Sequence, residues 1–581
     1  MLPVGILFGQ GVNYVIAQAA VLYAGGTCLL LDAGQSDQQI EEKLKQLGNV
    51  RVATDVDNQC RESLSNYPIL LIRFEDSREV DQCVETLSKV PVWTSAEHRS
   101  HLIYTSGTTG QPKAVQLAAG GIIRLRNDPK IPISAAQDRV GQISHTGFDG
   151  AIFDVWVPLL NGATIVIIHQ EIFLDPFAFE KYICQYRVTV FLITTSLFNI
   201  LAFASPRIFS KMNVVICGGE AANPRAMELV LKHGPPKYLY NGYGPSECSV
   251  LTTLHAVTIE DTKGETISIG TPFAGSEVYL LDDSMREVAP GEIGEMFIGG
   301  SGLSKGYCNQ PESNTSRYLQ LDGLGHRPMS LYRTGDICSK DEAGNIFFVR
   351  RRDHQVKFNG FQVDLQSIDS AVLATGFAQA AVTLMIEQSQ DVGPLLVTWI
   401  TPRSNLTNTE CLGHLQTLIQ KLLPRGVLPR IEIVQEFPLN SSLKIDRNRL
   451  KEAYLKKLRL LQANFDSLSA QKKVAMETRL EKIWRDIFSP EKSLDMEESL
   501  FTVGGTSLQV PLLISKIFSE FGTKLSAKVV YENPTLNGLA HSIRAIEQGH
   551  LPKSNVTDLL LADASLLCGL KPYDISSSVP N

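Results

Sequence analysis

Glycine, hydroxyl and lysine residues are concentrated in one short stretch, HLIYTSGTTGQPKAV, between His101 and Val115. In a glycine-rich loop after a strand, backbone N–H groups can donate to phosphate oxygens. The loop would add hydroxyl donors, a cation and glycines that allow close approach: Thr105, Ser106, Gly107, Thr108, Thr109, Gly110 and Lys113. The spacing of a Walker A loop is absent. The stretch therefore predicts a phosphate-binding loop, with a plain surface turn as the alternative.

Two further stretches carry groups that would complete a nucleotide site. NGYGPSE places an amide at Asn241, an aromatic ring at Tyr243 and a carboxylate at Glu247, which suit an adenine edge, a purine face and Mg²⁺. YRTGD ends in Asp336, whose carboxylate can accept from ribose hydroxyls. Three arginines follow at 350–352, and we expect them to be exposed except for one that contacts the nucleotide.

Composition and charge exclude several classes of protein. A chain of 581 residues exceeds what one hydrophobic core holds, so we expect several domains. The net charge of -7 argues against a nucleic-acid binder, which would need clustered cations. The ten cysteines are scattered without a C-x-x-C pair, which predicts a reduced, cytoplasmic protein without a zinc site or a disulfide framework.

The first 31 residues contain no charged residue. They lack the basic region of a signal peptide, and polar residues and glycines interrupt them. We therefore predict strand, helix and strand of a buried α/β layer rather than a membrane segment. Because the chain begins within a strand, we also expect an upstream segment to be missing.

Changes in the pattern of apolar and polar residues along the chain predict its domains. Short apolar runs alternate with amphipathic segments over about residues 1–270, which is typical of βαβ units around a buried, largely parallel sheet. Alternating strands follow to about 350, and a smaller α+β unit extends to about 455. Residues 451–473 predict a helical connector. The predicted boundaries are 1–350, 351–455 and 474–547, with 548–581 a linker or the truncated start of a further domain.

Apolar residues at helical spacing predict a separate small helical domain near the C-terminus. The first helix would bury Leu480, Ile483, Trp484, Ile487 and Phe488. A second helix repeats the spacing through Val510, Ile514, Ile517 and Phe521. Trp484 is therefore expected to be a core residue rather than a cofactor contact.

The order of the motifs resembles the adenylate-forming superfamily, specifically the adenylation domain of nonribosomal peptide synthetases. Eight stretches follow the family's order: LYAGGTCLLLD, YTSGTTGQPKAV, GFDGAIFDVWVPLLNGAT, NGYGPSE, GEIGEMFIGG, YRTGD, RRRDHQVKFNGF and PLNSSLKIDR. The small domain resembles a peptidyl carrier, with Ser507 of VGGTSL at the position that holds 4′-phosphopantetheine. The resemblance implies a large N-terminal α/β subdomain, a small α+β C-terminal subdomain and an all-α four-helix carrier domain.

The resemblance also implies a role for each matching residue toward ATP and Mg²⁺. Tyr243 would stack on adenine beside Asn241, and Gly244 and Ser246 would complete the nucleotide site with the phosphate loop. Asp336 would bind ribose, Arg351 would make a further nucleotide contact, and Glu247 would hold Mg²⁺. Lys444 is the expected catalytic cation, bridging the substrate carboxylate and the adenylate, and Asp353 matches the hinge between subdomains.

A substrate pocket is implied as well, with Asp149 holding the α-ammonium group. Its remaining wall would be Gly150, Phe153, Leu192, Ile216, Gly218, Gly242, Val250 and Leu251. Apart from Asp149 and Lys444 no member of the pocket is charged, which favours an apolar amino acid, and the three glycines would leave room for a branched or aromatic side chain. His145 matches no family role and is predicted to be a hydrogen-bonded pocket or core residue.

The sequence also departs from the family pattern. Ala114, Leu443 and Arg350 replace common glycines, and Asn359, Gln362 and Asp364 stand where Arg, Arg and Glu are frequent. The first N-terminal strands and helix of the family are absent.

The implied function is an ATP-dependent amino-acid ligase of secondary metabolism that loads its own carrier. A phosphopantetheinyl transferase is the implied partner, with neither nucleic acid nor membrane. Two alternatives remain: an acyl- or aryl-CoA ligase, and an inactive remnant whose carrier acts only in docking. The tail DLLLADASLLCGLKP resembles the lead-in to thioester reductase domains, so downstream reductase or synthetase domains are a further expectation.

Overall fold

The computed structural model describes residues 2–55, 58–59, 61–72, 92, 94–105, 112–126, 128–173, 175–264, 266–273, 275–321, 329–352, 355–358, 361–375, 377–387, 394–402, 415, 418–419, 423, 427–438, 445–469, 476–488, 496–500, 505 and 509–547. Several predicted site residues lie outside these ranges: those at 106–110, Lys444 and Ser507, together with the predicted hinge Asp353.

The N-terminal segment forms a six-stranded sheet. Its strands are β1 (Pro3–Phe8), β2 (Thr27–Asp32), β3 (Arg51–Thr54), β4 (Ile69–Leu71), β5 (Arg99–Thr105) and β6 (Lys113–Ala118), in the order β4-β3-β1-β2-β5-β6. The helices are α1 (Val12–Tyr23), α2 (Asp37–Leu47) and α3 (Ala119–Ile123). Only β6 is antiparallel to its neighbour. A capping box between Ser36 and Gln39 starts α2. The predicted strand, helix and strand at the N-terminus are confirmed.

A second sheet has seven strands. They are β7 (Arg139–Gln142), β8 (Thr164–Ile167), β9 (Val190–Thr194), β10 (Val214–Gly218), β11 (Tyr238–Tyr243), β12 (Thr253–Ala256) and β13 (Thr271–Pro272), in the order β13-β12-β11-β10-β9-β7-β8. The helices are α4 (Gly150–Asn161), α5 (Gln170–Phe173), α6 (Pro176–Tyr186), α7 (Thr195–Ala204) and α8 (Pro224–His233). Strands β7 to β11 are parallel, and β12 and β13 are antiparallel.

Two sheets therefore stand where the sequence predicted one. Both contribute to one buried cluster, which contains Phe8 of β1, Tyr14 of α1, Phe153 of α4 and Ile216 of β10. Helices α1 and α4 are strongly apolar, so they share a core with strands of both sheets.

A third, antiparallel sheet lies where the sequence predicts alternating strands. It contains β14 (Ser276–Leu281), β15 (Ile293–Gly300), β16 (Tyr318–Leu321), β17 (Met329–Lys340) and β18 (Ile346–Arg351), with α9 (Pro311–Arg317) before β16. Strand β18 ends at Arg351, next to the boundary that the sequence predicts at 350.

The small subdomain begins with a hairpin and continues as an α+β unit. Its elements are β19 (Gln355–Phe358), β20 (Phe361–Asp364), α10 (Leu365–Ala374), β21 (Ala378–Ile386), β22 (Leu395–Pro402), β23 (Arg430–Ile433) and α11 (Arg447–Ser469). The predicted boundary at 455 falls inside α11. Leu450 and Tyr454 of this helix are buried, and the Tyr454 ring lies 5.7 Å from Trp399, so the start of the predicted connector belongs to the core.

The described part of the carrier region contains the helices α12 (Met476–Phe488), α13 (Val510–Phe521), α14 (Ala527–Glu532) and α15 (Leu536–Glu547). Trp484 is fully buried, with its ring 5.2 Å from that of Phe488, as predicted. Helix α13 also packs on the large subdomain, where the rings of Phe177 and Phe518 lie 4.9 Å apart. Within the part of the chain that the structure describes, no helix is both long and apolar enough to cross a membrane.

Candidate nucleotide and substrate site

Three parallel strands bring several predicted pocket residues together. Leu192 of β9 pairs with Ile216 of β10, and Gly218 of β10 pairs with Gly242 of β11. A Cβ atom at Gly242 would lie 2.8 Å from Ile216 Cγ2, and one at Gly218 would lie 2.5 Å from the Gly242 carbonyl oxygen. A side chain at either position would therefore collide with a neighbouring strand, so the close approach of these strands requires glycine at both.

Asp149 lies immediately before α4, whose first residue is Gly150. The Ser246 hydroxyl donates to Asp149 Oδ2 at 2.5 Å. Burial raises the pKa of Asp149, while the hydrogen bonds from Ser246 and the Gly150 N–H lower it. The predicted ammonium ligand is thus joined to the NGYGPSE segment.

The apolar part of the predicted wall is tightly packed. Phe153 and Ile216 are fully buried, and the exposed fractions of Val250 and Leu251 are 6% and 3%. Leu192 is partly buried. In this conformation the wall is continuous with the core, so its shape depends on the elements behind it.

The loop after NGYGPSE has an uncommon backbone. Ser249 and Val250 have φ angles of 57° and 75°, in the left-handed region that β-branched residues rarely adopt. A Cβ atom at Gly244 would lie 2.3 Å from the Val250 carbonyl oxygen, so the close approach requires glycine. This loop places Val250 and Leu251 beside Gly242, whose Cβ would meet Leu251 at 3.1 Å.

A chain of polar contacts joins the predicted adenine and ribose ligands. The Tyr243 hydroxyl donates to Asp336 Oδ2 at 2.5 Å, and Arg351 Nη1 lies 2.7 Å from Asp336 Oδ1. Strands β17 and β18 pair Asp336 directly with Arg351. Burial and the neighbouring Asp336 carboxylate raise the pKa of the Tyr243 hydroxyl, so it stays a neutral donor.

Asn241, the other predicted adenine contact, is almost fully buried. Its amide nitrogen donates to the Ser268 carbonyl at 2.8 Å. This bond ties β11 to the segment before β13, and it uses one of the amide's N–H groups within the fold.

Glu247, the predicted Mg²⁺ ligand, is buried beside a group of tyrosines. Tyr307 donates to Glu247 Oε1 at 2.7 Å, and the Tyr307 hydroxyl lies 3.4 Å from that of Tyr332. Burial and the Glu247 charge raise the pKa values of Tyr307, Tyr318 and Tyr332. These hydroxyls therefore remain protonated next to the carboxylate.

The ends of the predicted phosphate loop face the same cluster. Thr105 pairs with Lys113 across β5 and β6. Lys113 is 8% exposed, and its Nζ lies 5.1 Å from the centre of the Tyr307 ring. Burial lowers the pKa of Lys113, while the Glu247 charge raises it. A cation and a carboxylate thus flank the loop that would bind phosphates.

Sequence reasoning missed Tyr307 and Lys357. Lys357 Nζ lies 5.3 Å from the centre of the Tyr243 ring. Both residues stand in quoted or neighbouring motifs, but nothing in their spacing predicts the contact.

His145 is not a core residue, which was one of the two predicted alternatives, because its side chain is exposed and its ring lies 6.1 Å from that of Phe148. The arginines behave as expected: Arg350 and Arg352 are exposed and Arg351 is partly buried.

Comparisons with known proteins agree with the order of the motifs. The AMP-binding enzyme family matches residues 2–308, and the phosphopantetheine attachment site family matches residues 478–543. Aldehyde reductase lnbA of Aspergillus flavus is 37% identical over 566 residues, which cover 97% of this chain and 56% of that protein. Nonribosomal peptide synthetase asaC of the same organism is 33% identical over 574 residues, covering 97% and 55%.

Solved structures share the fold. Holo-PA1221, described as a nonribosomal peptide synthetase protein containing adenylation and PCP domains and bound to a vinylsulfonamide inhibitor, superimposes with a TM-score of 0.76 at 24% identity and covers 94% of this chain and 88% of that one. The chain spans about half the length of the curated relatives it matches. An adenylation domain of this kind uses ATP and Mg²⁺, and the carrier holds 4′-phosphopantetheine. The chain therefore belongs to the AMP-binding enzyme family, as an adenylation domain of the nonribosomal peptide synthetase type followed by a carrier domain.

Proposed function

We propose that the chain activates an amino acid with an apolar side chain as aminoacyl-AMP and transfers it to the phosphopantetheine of its own carrier domain. The observation that carries the proposal is the Asp149 carboxylate at the start of α4, held by Ser246 beside an otherwise apolar wall. A carboxylate in such surroundings binds an ammonium group strongly, because little water competes for either charge.

The apolar wall supports the choice of side chain. Leu192, Ile216, Val250 and Leu251 offer no hydrogen-bonding side chain to a substrate. A charged or strongly polar substrate side chain would lose water without gaining a partner, at a cost of about 1–3 kcal/mol or more. Discrimination between apolar substrates should be smaller, because one methylene is worth about 1–3 kcal/mol in such a pocket.

The nucleotide would be held by groups that already lie together. Asp336 accepts from the ribose hydroxyls, the Tyr243 ring covers the purine, Arg351 makes a further nucleotide contact, and Lys113 balances phosphate charge. Glu247 fits Mg²⁺, because Tyr307 occupies only one of its oxygens and Mg²⁺ is commonly bound through one or two carboxylates plus substrate phosphates.

The chemistry needs no enzyme nucleophile. A carboxylate oxygen of the amino acid attacks the α-phosphorus of ATP, and the bond to pyrophosphate breaks. Lys444 offsets the charge that develops as this happens. Ser507 would hold the phosphopantetheine, whose thiol would take over the acyl group with release of AMP and of the thiol proton.

Amino-acid-dependent exchange of pyrophosphate into ATP tests the first half-reaction. We expect exchange with aliphatic or aromatic amino acids above that with Asp, Lys or Gln. Faster exchange with a polar amino acid would contradict the pocket assignment. Exchange with acids that lack the amino group, followed by transfer to coenzyme A, would favour an acyl- or aryl-CoA ligase and remove Asp149 from its role. No exchange with any acid would favour a remnant that only docks its carrier.

Attachment of phosphopantetheine tests the carrier. With coenzyme A and a phosphopantetheinyl transferase, the wild-type chain should gain the mass of the group. Ser507→Ala should gain none yet keep full pyrophosphate exchange, because that hydroxyl is the acceptor and is not part of the adenylation chemistry. A variant that still gains mass would place the attachment elsewhere.

Release by a reductase is a proposal for the longer protein. The relatives include one named aldehyde reductase, about half of whose length this chain spans, and the tail at 558–572 resembles the lead-in to thioester reductase domains. A reductase after the carrier would release the bound acyl group as an aldehyde or alcohol.

A further inference from the structure

Arg124 follows α3 and is almost completely buried, with 5% of its surface exposed. Its Nη2 donates to the carbonyls of Cys248 at 2.7 Å and Ser249 at 3.3 Å, and also to that of Leu251. Its Nη1 donates to Ser276 Oγ at 3.1 Å. One side chain, more than a hundred residues away in sequence, therefore binds three carbonyls of the loop after NGYGPSE.

This loop needs a residue outside it to fix its conformation, because from Ser249 to Leu251 its backbone is neither helix nor strand. Ser249 and Val250 both have left-handed backbones. Such conformations are unfavourable for residues with a Cβ and persist only where the surroundings fix them. A buried carbonyl without a donor is costly. The guanidinium donates to three carbonyls of the loop, of which that of Ser249 also accepts from the Leu251 N–H at 3.0 Å.

Gly302 and Phe273 lie next to the Arg124 guanidinium. A Cβ atom at Gly302 would lie 2.4 Å from Arg124 Nη2, so a larger residue would displace it. The Phe273 ring lies 5.6 Å from Arg124 Cζ on another side. Burial lowers the pKa of Arg124 to about 10, so the group keeps its charge at neutral pH.

The same loop carries Val250 and Leu251, which belong to the predicted substrate wall. We propose that Arg124 is a positioning residue for side-chain specificity, because it fixes the Cys248–Leu251 loop against the pocket. This inference rests on the proposed function. It predicts an effect on the binding of the amino acid, since the loop that Arg124 binds includes Leu251 of the predicted substrate wall.

Arg124→Lys and Arg124→Met test the inference. Lysine keeps the charge but lacks the planar fork of donors, so it cannot bond three carbonyls and Ser276 together. We expect KM for the preferred amino acid to rise about tenfold or more in both variants, since the loss of one charged hydrogen bond is worth about that much. We also expect the preference among Val, Leu, Ile and Phe to flatten, with KM for ATP unchanged. A purely structural role would lower the amount of active protein, and hence kcat, without changing KM or the preference.

Arg479→Lys is a matched control. Arg479 also combines a backbone carbonyl, that of Glu520, with an aromatic ring, that of Phe521, but it lies in the carrier. The Arg479→Lys variant should exchange pyrophosphate at the wild-type rate, with the wild-type KM for the amino acid and the wild-type preference among amino acids. An Arg124→Lys chain with wild-type KM and preference would overturn the inference while leaving the proposed function intact. A wild-type chain that exchanges with no amino acid would overturn the proposed function and the inference with it.

Hydrogen exchange gives a readout independent of activity. In the wild type the amides of Cys248, Leu251 and Thr252 are bonded within the loop region. They should exchange faster in both Arg124 variants, while the amides of β21 in the small subdomain keep their wild-type rates. Unchanged protection of the loop amides would show that Arg124 does not order the loop.

Discussion

Three carboxylates at the site differ in their partners, and the partners decide what each can bind. Asp336 is paired with Arg351, so together they add no net charge and suit neutral ribose hydroxyls. Glu247 and Asp149 are instead bonded by the neutral hydroxyls of Tyr307 and Ser246. Lys113 and Lys357 act on these carboxylates electrostatically, but no salt bridge to either carboxylate is formed among the described residues, which leaves both able to take the proposed Mg²⁺ and ammonium ligands.

Replacement of Lys444 tests the proposed catalytic cation. Lys444→Ala should slow adenylate formation by about 10²-fold or more, as expected when a group that stabilises developing charge is removed. The affinity for ATP should change far less, because the lysine acts mainly where charge develops. Single-turnover adenylate formation and nucleotide binding would be measured separately. Lys456→Ala, which removes an exposed lysine of α11, is the control. A loss confined to ATP affinity would contradict the assigned role.

The acid limb of the pH profile should report Asp149. Burial raises its pKa above the ordinary carboxyl value, so it becomes protonated at a higher pH than an exposed aspartate. A protonated Asp149 cannot pair with the ammonium group. The value of kcat/KM for the amino acid should therefore fall as the pH decreases through this raised pKa. Ser246→Ala removes a bond that lowers the pKa, so the fall should move to higher pH. If kcat/KM of the Ser246→Ala variant falls at the same pH as that of the wild type, the acid limb does not report the protonation of Asp149.

Strand β11 and the loop after it are the element that unites the two halves of the site. Asn241 anchors the strand to Ser268, Tyr243 reaches Asp336, and the loop returns to the pocket through Leu251. Because Gly244 has no side chain, the loop can fold back closely against the end of β11. A change in this element should thus affect both folding and substrate binding.

Gly244→Ala tests that dependence. The new methyl group would lie 2.3 Å from a backbone carbonyl oxygen, which no rotamer change can relieve. We expect a loss of about 1–3 kcal/mol in stability and a higher KM for the amino acid. Gly9→Ala is the control, because a Cβ there meets nothing within 4 Å. Urea unfolding midpoints of both variants would be compared, and equal midpoints would contradict the packing argument.

The whole molecule places the carrier against both subdomains of the adenylation domain. On the large subdomain, Ser515 donates to the Ala204 carbonyl, and Lys524 Nζ lies 4.9 Å from the centre of the Phe177 ring and 5.7 Å from that of Phe518. On the small subdomain, Arg430 of β23 donates to the Phe488 carbonyl. The carrier is thus held near both halves of the enzyme that would load it.

Lys524→Ala tests whether this contact serves loading. A cation over an exposed aromatic ring is worth about 0.5–1 kcal/mol, so acyl transfer to the carrier should slow about two- to fivefold. Pyrophosphate exchange should not change, because the adenylation residues are untouched. Lys528→Ala is the matched control, since that lysine stands four residues further along, in α14, and pairs only with Glu532 among the described residues. Equal loading rates for the two variants would show that the contact does not contribute.

The sequence by itself determined the local structure and the family. Periodicity placed Trp484 and Ile514 on buried helix faces, and the order of the motifs identified the adenylation and carrier domains. Such features can be read from the sequence because burial within one helix or strand follows a period of 3.6 or 2 residues. The residues for adenine, ribose and phosphate contacts were predicted from those motifs alone.

Only the tertiary structure decided which distant residues support them. The bonds from Tyr307 to Glu247 and from Arg124 to the loop at Cys248 span 60 and 124 residues. The close approach of Gly218 to the Gly242 carbonyl and the exposed position of His145 likewise follow from packing between elements. No sequence period encodes these contacts, because they depend on how whole sheets and helices stack, and each element's own pattern specifies its buried face but not its neighbour.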